Sequence, residues 1–175
     1  MKLQEPFPIN EAVITDEFCS EEHQLDEWLK RRALKNDQIM ASRTFVVCSE
    51  DNRVMGYYSL AVGSILHTEA LGKIKRNMPD PIPVMILGRL AVDKSIQGKG
   101  LGSALVKDAI LRTLQASKIA GIKAILVHAL NDNVAAFYES KGFQKSPLNN
   151  LILMITLEEA IYFNKKILDI YKNMN

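Results

Sequence analysis

Between Leu87 and Leu105 the chain reads Leu-Gly-Arg-Leu-Ala-Val-Asp-Lys-Ser-Ile-Gln-Gly-Lys-Gly-Leu-Gly-Ser-Ala-Leu, and no other stretch restricts the fold so strongly. Val84 to Val92 is an apolar run of strand length with β-branched residues, and Gly100 to Gln115 has the pattern of a helix. The turn between them holds Gly98, Gly100 and Gly102, with Gln97 ahead of it and Lys99 inside. Glycines let a backbone come close to a ligand, and the unpaired N–H groups of a first helical turn point at an anion. A strand delivering such a turn to a helix start is a device for holding phosphate.

Two common phosphate loops are excluded. A nucleotide P-loop needs Gly-x-x-x-x-Gly-Lys-Ser/Thr, which is absent. The dinucleotide fingerprint places its third glycine three residues after the second, but position 103 is Ser and the third glycine falls at 102. Lys118 and Lys123 stand where its acidic residue would be expected.

With 175 residues the chain is expected to form one domain, 1–175, with a full core. Apolar residues make up 47% and charged residues 24%, which excludes a disordered chain. No apolar run reaches bilayer-spanning length, and the N-terminus lacks a signal-type apolar core, so the expected location is the cytoplasm. Cys19 and Cys48 are far apart and read as core residues of a reducing compartment. His23, His67 and His128 form no close pair, so no metal site is expected. Charge is uneven: residues 1–70 carry 7 basic and 12 acidic side chains, and residues 71–145 carry 12 basic and 5 acidic. A basic half around a phosphate loop suits a polyanionic ligand, although a solvated face would look the same.

Taken in order, Ala12 to Thr15 reads as a short opening strand and Phe18 to Asn36 as an amphipathic helix capped by Ser20, with Leu25, Trp28, Leu29 and Ala33 on its apolar face. Its acidic start and basic end (Lys30, Arg31, Arg32, Lys35) complement the helix dipole, and the basic cluster could also touch a nucleic-acid backbone. Arg43 to Ser49 and Arg53 to Ile65 form a hairpin around Glu50-Asp51-Asn52. A short helix over Glu69 to Arg76 leads to a connector with three prolines, Met78 to Pro83, that precludes regular structure. After the glycine-rich helix come a strand at Lys123 to Ala129, a helix at Val134 to Lys141 closed by Gly142, a last strand at Leu151 to Leu157 and a helix over Glu158 to Tyr171. Ile161, Ile167, Leu168 and Tyr171 would pack that final helix. The order predicts an α/β layered domain, a mixed sheet covered by helices with its ligand at the central strand's carboxyl end.

Gln97-x-x-Gly100-x-Gly102 after Leu-Ala-Val-Asp resembles the acetyl-coenzyme A pyrophosphate loop of the GCN5-related N-acetyltransferases, the GNAT family. Asn131 through Phe143, with Phe-Tyr-x-x-x-Gly-Phe, resembles the family's second signature segment. Leu25–Leu29, Ala41–Phe45, Gly56–Leu60, Asn77–Pro83 and Leu87–Asp93 are similar to the toxin acetyltransferases of type II toxin–antitoxin modules. The resemblance implies a mixed, mostly antiparallel central sheet flanked by helices, with acetyl-CoA in a V-shaped cleft between central strands. It further implies acetylation of the α-amine of aminoacyl-tRNA, a block on translation and inhibition by a ribbon-helix-helix antitoxin. The tail from Glu158 to Asn175 is longer than that branch would give, and it would cover a sheet edge or help a dimer form.

Carried over by resemblance, Leu90, Ala91 and Val92 offer backbone groups to the pantetheine arm. Gln97, Gly98, Lys99, Gly100, Leu101, Gly102 and Ser103 cradle the pyrophosphate. Asn131, Ala135 and Phe137 complete the donor site, and Tyr138 is the general acid. Such a reaction needs an N–H donor where oxyanion charge appears, for which the strand near Leu90 is the expected source, and a positioned phenol to protonate the expelled thiolate. Phe137, on another helix face, reads as a packing residue, and a core tyrosine is the lesser alternative for Tyr138. Arg89, Lys30, Arg31, Arg32, Lys73, Lys75 and Arg76 are candidates for acceptor phosphates, Arg89 otherwise being a paired charge at the sheet rim.

Val84 to Val92 contains no Glu or Asp, so this strand supplies no base. At pH 7 a lysine amine is roughly 0.04% neutral and an α-amine roughly 10–17%. A base-poor site therefore fits an α-amine, whether on aminoacyl-tRNA or a peptide N-terminus. Neither cysteine lies in the motif region, which favours direct transfer over an acyl-enzyme. The competing expectations are a small-molecule or protein N-terminal acetyltransferase, and a non-catalytic acyl-CoA-fold module that binds an antitoxin and DNA.

Overall fold

The computed structural model describes residues 1–164, 169–170 and 172–173. Seven strands form one open mixed sheet in the order β1-β2-β3-β4-β5-β7-β6, with β1 Phe7–Pro8, β2 Arg43–Cys48, β3 Val54–Ile65, β4 Ile82–Val92, β5 Ala124–His128, β6 Gln144–Lys145 and β7 Ile152–Thr156. The helices are α1 His23–Trp28, α2 Leu34–Gln38, α3 Gly72–Lys75, α4 Leu101–Ser117, α5 Asp132–Glu139 and α6 Leu157–Phe163. None of the described helices is long and apolar enough to cross a membrane. The mixed α/β sheet flanked by helices is the one expected. The chain separates into two compact units, Met1–Ala61 with Gly88–Asp108, and Val62–Leu87 with Ala109–Asn175.

In the first unit, β2 and β3 pair antiparallel with Thr44 opposite Ser59 and Val46 opposite Tyr57. β1 adds to β2 through Phe7↔Val46. The opening strand lies at Phe7–Pro8 and not at Ala12–Thr15, where only Ile14 makes an isolated bridge, to Arg53. The amphipathic helix begins at His23, later than the expected Phe18, and its N-cap is Glu22. Ser20 does not cap it: its N–H and Oγ both donate to buried Asp26 Oδ1, at 2.9 and 2.6 Å. A single wide π-turn, Leu29–Ala33, joins α1 to α2 without a break in helical dihedrals. The core holds Phe18, Trp28, Leu29, Ala33, Val46, Val54 and Tyr57. Trp28 stacks on Tyr57 with centroids 5.9 Å apart, Phe18 meets Tyr57 edge-on at 5.7 Å, and the Tyr57 hydroxyl donates to Leu25 O.

In the second unit, β4 pairs parallel with β5 from Val84↔Ala124 to Leu87↔Val127, and β5 pairs antiparallel with β7. β4 starts at Ile82 and takes in Pro83, whose carbonyl accepts from Lys123 N–H; the third proline of the connector thus sits at a strand start, where its missing donor is tolerated. The expected helix over Glu69–Arg76 divides into a 3₁₀ turn, His67–Glu69, and α3. The two-residue β6 was not expected from the sequence. α6 ends at Phe163; Ile167, Leu168 and Tyr171 lie outside the described residues. Ile65, Ile74, Ile82, Val84, Ala124 and Met154 pack together under α3.

Candidate active site

The glycine turn is assembled in the first unit. β4 ends at Val92, and Asp93 caps a 3₁₀ turn, Lys94–Ile96, by accepting from Ser95 N–H at 3.0 Å and Ser95 Oγ at 2.6 Å. Its other oxygen accepts from Cys19 N–H at 3.0 Å, and Lys94 N–H donates to Cys19 O at 2.8 Å. Partial burial works to raise the Asp93 pKa, but the Ser95 and Cys19 bonds and the Lys94 charge together hold it below the usual carboxylate value. Asp93 is therefore a poor proton acceptor and a good cap.

Gln97 has a role that the sequence did not disclose. Its side-chain amide donates to Ser20 O at 3.0 Å and Val92 O at 2.9 Å, tying strand exit to N-terminal segment. Gly98 and Gly100 follow with φ of 74° and 91°, and a Cβ at either would meet nothing within 4 Å. The first backbone N–H to find a backbone acceptor is that of Ala104, which donates to Gly100 O. Among the described residues, the N–H groups of Gln97 through Ser103 have no backbone acceptor. Seven N–H groups without a backbone acceptor, around two unfilled glycine positions at the start of a 17-residue helix, are donors that an anion could take up. α4 can start this close to the sheet because position 56 is glycine; a Cβ there would lie 2.9 Å from Leu101 Cδ2.

Leu90, Ala91 and Val92 continue β4 beyond the last β5 pair, Leu87↔Val127. Arg89, exposed on the same strand, lays its guanidinium over the Trp28 ring at 4.4 Å. It is not the paired rim charge of the structural expectation: it makes no ion pair among the described residues. Lys30, Arg31 and Arg32 sit exposed on the π-turn, with Arg31 held by Glu27 at 2.7 Å.

The second unit carries the other predicted residues. Asn131 is the N-cap of α5, its Oδ1 accepting from Val134 N–H at 3.0 Å. Ala135 is buried. Tyr138 is 5% exposed between Phe137 and Phe143, with ring centroids 5.2 and 5.4 Å away. Burial pushes its phenol pKa well up, so the hydroxyl keeps its proton throughout the neutral range. The hydroxyl makes no hydrogen bond to the described residues. Phe137 is half-buried with Lys141 Nζ 5.5 Å from its centroid, which is a packing environment. Lys73 is held by Glu159 at 2.9 Å, whereas Lys75 and Arg76 are exposed at the end of α3.

Residues 41–145 match the acetyltransferase (GNAT) domain. The chain is 49% identical over 155 residues to a tRNA-acetylating toxin of Mycobacterium tuberculosis (strain ATCC 25618 / H37Rv), covering 89% of this chain and 93% of that protein. The structure of AtaT complexed with acetyl-methionyl-tRNAfMet is similar at a TM-score of 0.83 and 27% identity, over 90% of this chain and 96% of that one. A tyrosine-to-phenylalanine mutant of the AtaT toxin, bound to the C-terminus of the antitoxin AtaR and acetyl-CoA, is similar at a TM-score of 0.77 and 26% identity, over 91% and 96%.

Proposed function

Because this chain belongs to the GNAT acetyltransferase family, we propose that it moves the acetyl group of acetyl-CoA to the α-amine of aminoacyl-tRNA, blocking translation as the toxin of a toxin–antitoxin pair. The carrying observation is the turn from Gln97 to Ser103, whose seven free N–H groups and two unfilled glycine positions fit a pyrophosphate. The likeness to a tRNA-acetylating toxin supports the acceptor.

Acetyl-CoA supplies the acetyl group as an activated thioester. Gln97 to Ser103 hold its diphosphate, with the Lys99 ammonium adding charge, and Ser103 stands on the first turn of α4. Leu90, Ala91 and Val92 present strand backbone to the pantetheine arm, and an N–H there meets charge developing on the acetyl oxygen. The Asn131 side-chain nitrogen, left over from capping, and the α5 residues Ala135 and Phe137 complete the donor site. Tyr138 holds a proton on its phenol oxygen for the departing sulfur; aligned general acids contribute about 10²–10⁴-fold. No carboxylate of β4 takes a proton from the amine, and Asp93 is committed to its cap. The acceptor therefore arrives with its own fraction of free amine, which favours an α-amine over lysine. Lys30 and Arg32, which make no ion pair among the described residues, and Arg89, whose guanidinium lies over Trp28, are cations for acceptor phosphates, with Arg31, Lys73, Lys75 and Arg76 as further contacts. The proposal carries with it a single-domain chain, a cytoplasmic location, a ribbon-helix-helix antitoxin as partner and a homodimer.

Transfer of labelled acetyl from acetyl-CoA to charged tRNA, compared between the wild-type protein and Tyr138→Phe, tests this reading. Label on aminoacyl-tRNA that falls about 10²–10⁴-fold in the variant is expected. Label on peptide N-termini or small amines alone would overturn the acceptor, and no label on any amine would overturn the enzyme.

A further inference from the structure

The first unit contains a buried hydroxyl that the donor site does not use. Ser59 on β3 is 2% exposed, and its Oγ makes no hydrogen bond to the described residues. Residues two apart on a strand share a face, so Ser59 lies on the face where Tyr57 stacks on Trp28 and Arg89 covers that same ring. Directly opposite Ser59, and hence on that face, is Thr44, wholly buried with Oγ1 also unpartnered. On β4 stands Gly88, which is exposed; a Cβ there would come within 3.4 Å of Ser59 Oγ. Any other residue at 88 would place a methyl or more over that oxygen. Glycine leaves a notch one Cβ wide, floored by the hydroxyl and one residue from Arg89.

Buried polar groups in native proteins are almost always satisfied, and one left bare in the free protein is desolvated without compensation. Thr44 Oγ1 is such a hydroxyl, and Ser59 Oγ stands beside it under the glycine gap of an exposed strand, placed for a small polar group from outside. We propose that the Gly88 notch receives the acceptor's amine and that Ser59 Oγ accepts a hydrogen bond from it. Resting on the acetyl-transfer reading above, this makes Ser59 the positioning group for the nucleophile. Its lone pair takes one N–H of the neutral amine, and the nitrogen lone pair is left to face the thioester carbonyl. No proton passes to the serine. Arg89, the next residue after Gly88 on β4, is placed for the phosphate of the same acceptor.

The test uses the full chain, labelled acetyl-CoA and bulk aminoacyl-tRNA. Ser59→Ala is expected to lower kcat/KM for aminoacyl-tRNA about 3- to 10-fold, the value of one neutral hydrogen bond, with acetyl-CoA affinity by calorimetry unchanged. Its Tm should hold or rise, because the hydroxyl removed had no partner; a merely structural serine would lower it. Gly88→Ala meets Ser59 at ordinary contact distance, so it should fold and bind acetyl-CoA while losing at least as much transfer. Wild-type kcat/KM in both variants would overturn the proposal, as would parallel loss of Tm and acetyl-CoA affinity in Ser59→Ala. Absence of label with the wild-type protein would instead bring down the transfer reading, and this one with it.

Discussion

Replacing Gly100 by alanine separates what the glycine turn does for folding from what it does for binding. At φ 91° the residue lies in a region that L side chains rarely adopt, while the space around its absent Cβ is open, so the cost is conformational and not steric. Strain of this kind is about 1–2 kcal/mol. For a chain of this length each kcal/mol moves Tm by about 2–4 °C, so a fall of about 2–8 °C is expected. If the loop relaxes toward negative φ, the N–H groups on either side turn away from their common focus. Losing one charge-assisted hydrogen bond of about 1.5–3 kcal/mol would weaken acetyl-CoA binding by about 10- to 100-fold. Gly72→Ala is the control: it lies in α3 without positive φ and with nothing within 4 Å, and should stabilise by about 0.4–1 kcal/mol. Calorimetric titration with acetyl-CoA beside a thermal melt reads both quantities. A Gly100→Ala protein with a lowered Tm and full acetyl-CoA affinity would refute the assignment of this turn to the diphosphate.

Arg89→Gln should flatten the dependence of log K on log[salt] for tRNA binding by about 0.7–0.9, one phosphate contact; an unchanged slope would confine Arg89 to its stack on Trp28. Tyr138→Phe should leave stability within about 0.5 kcal/mol of wild type, because its hydroxyl bonds to none of the described residues and the ring keeps its neighbours Phe137 and Phe143; a large loss in a melt would make it a structural tyrosine. Burial pushes the Cys48 thiol up to about 11 and raises the Tyr57 and Tyr138 phenols as well. The unfolded chain therefore sheds these protons first, and stability that is full below about pH 9 should decline as pH rises through 9–11; denaturant midpoints across that range check it. The transfer rate should climb with pH as the α-amine, near 7.7–8.0, loses its proton, with no falling limb from Tyr138 below pH 10.

The sequence was most readable where one local rule acts alone. The apolar run before the glycines and the hairpin around Glu50-Asp51-Asn52 each follow from neighbours in the chain, and strand–turn–helix came through with ends shifted by one or two residues. It was least readable where distant residues compete. Ser20 has the chemistry of a cap, but buried Asp26 takes both of its donors, and the helix starts two residues later. Phe7–Pro8 carries no strand pattern and is extended only because β2 offers it an edge. Arg89 reads from the sequence as a paired rim charge or a phosphate contact; a ring sixty-one residues earlier in the chain lies under its guanidinium. Gln97 could be picked out by motif, but not the carbonyls its amide would find, and Ser59 gave no signal because an unpartnered hydroxyl exists only in three dimensions.

The hydrogen bonds that join Cys19 and Ser20 to Asp93, Lys94 and Gln97 enlarge the smallest piece of chain that can work. The stretch matching the acetyltransferase domain begins at residue 41, yet the anchor of its glycine turn lies some twenty residues before that boundary. A fragment trimmed to the matched stretch would keep every glycine and still lose the stitching that aims them. The opening segment is thus a remote brace for the glycine turn, and engineered truncations or N-terminal fusions should be planned around Cys19 and Ser20.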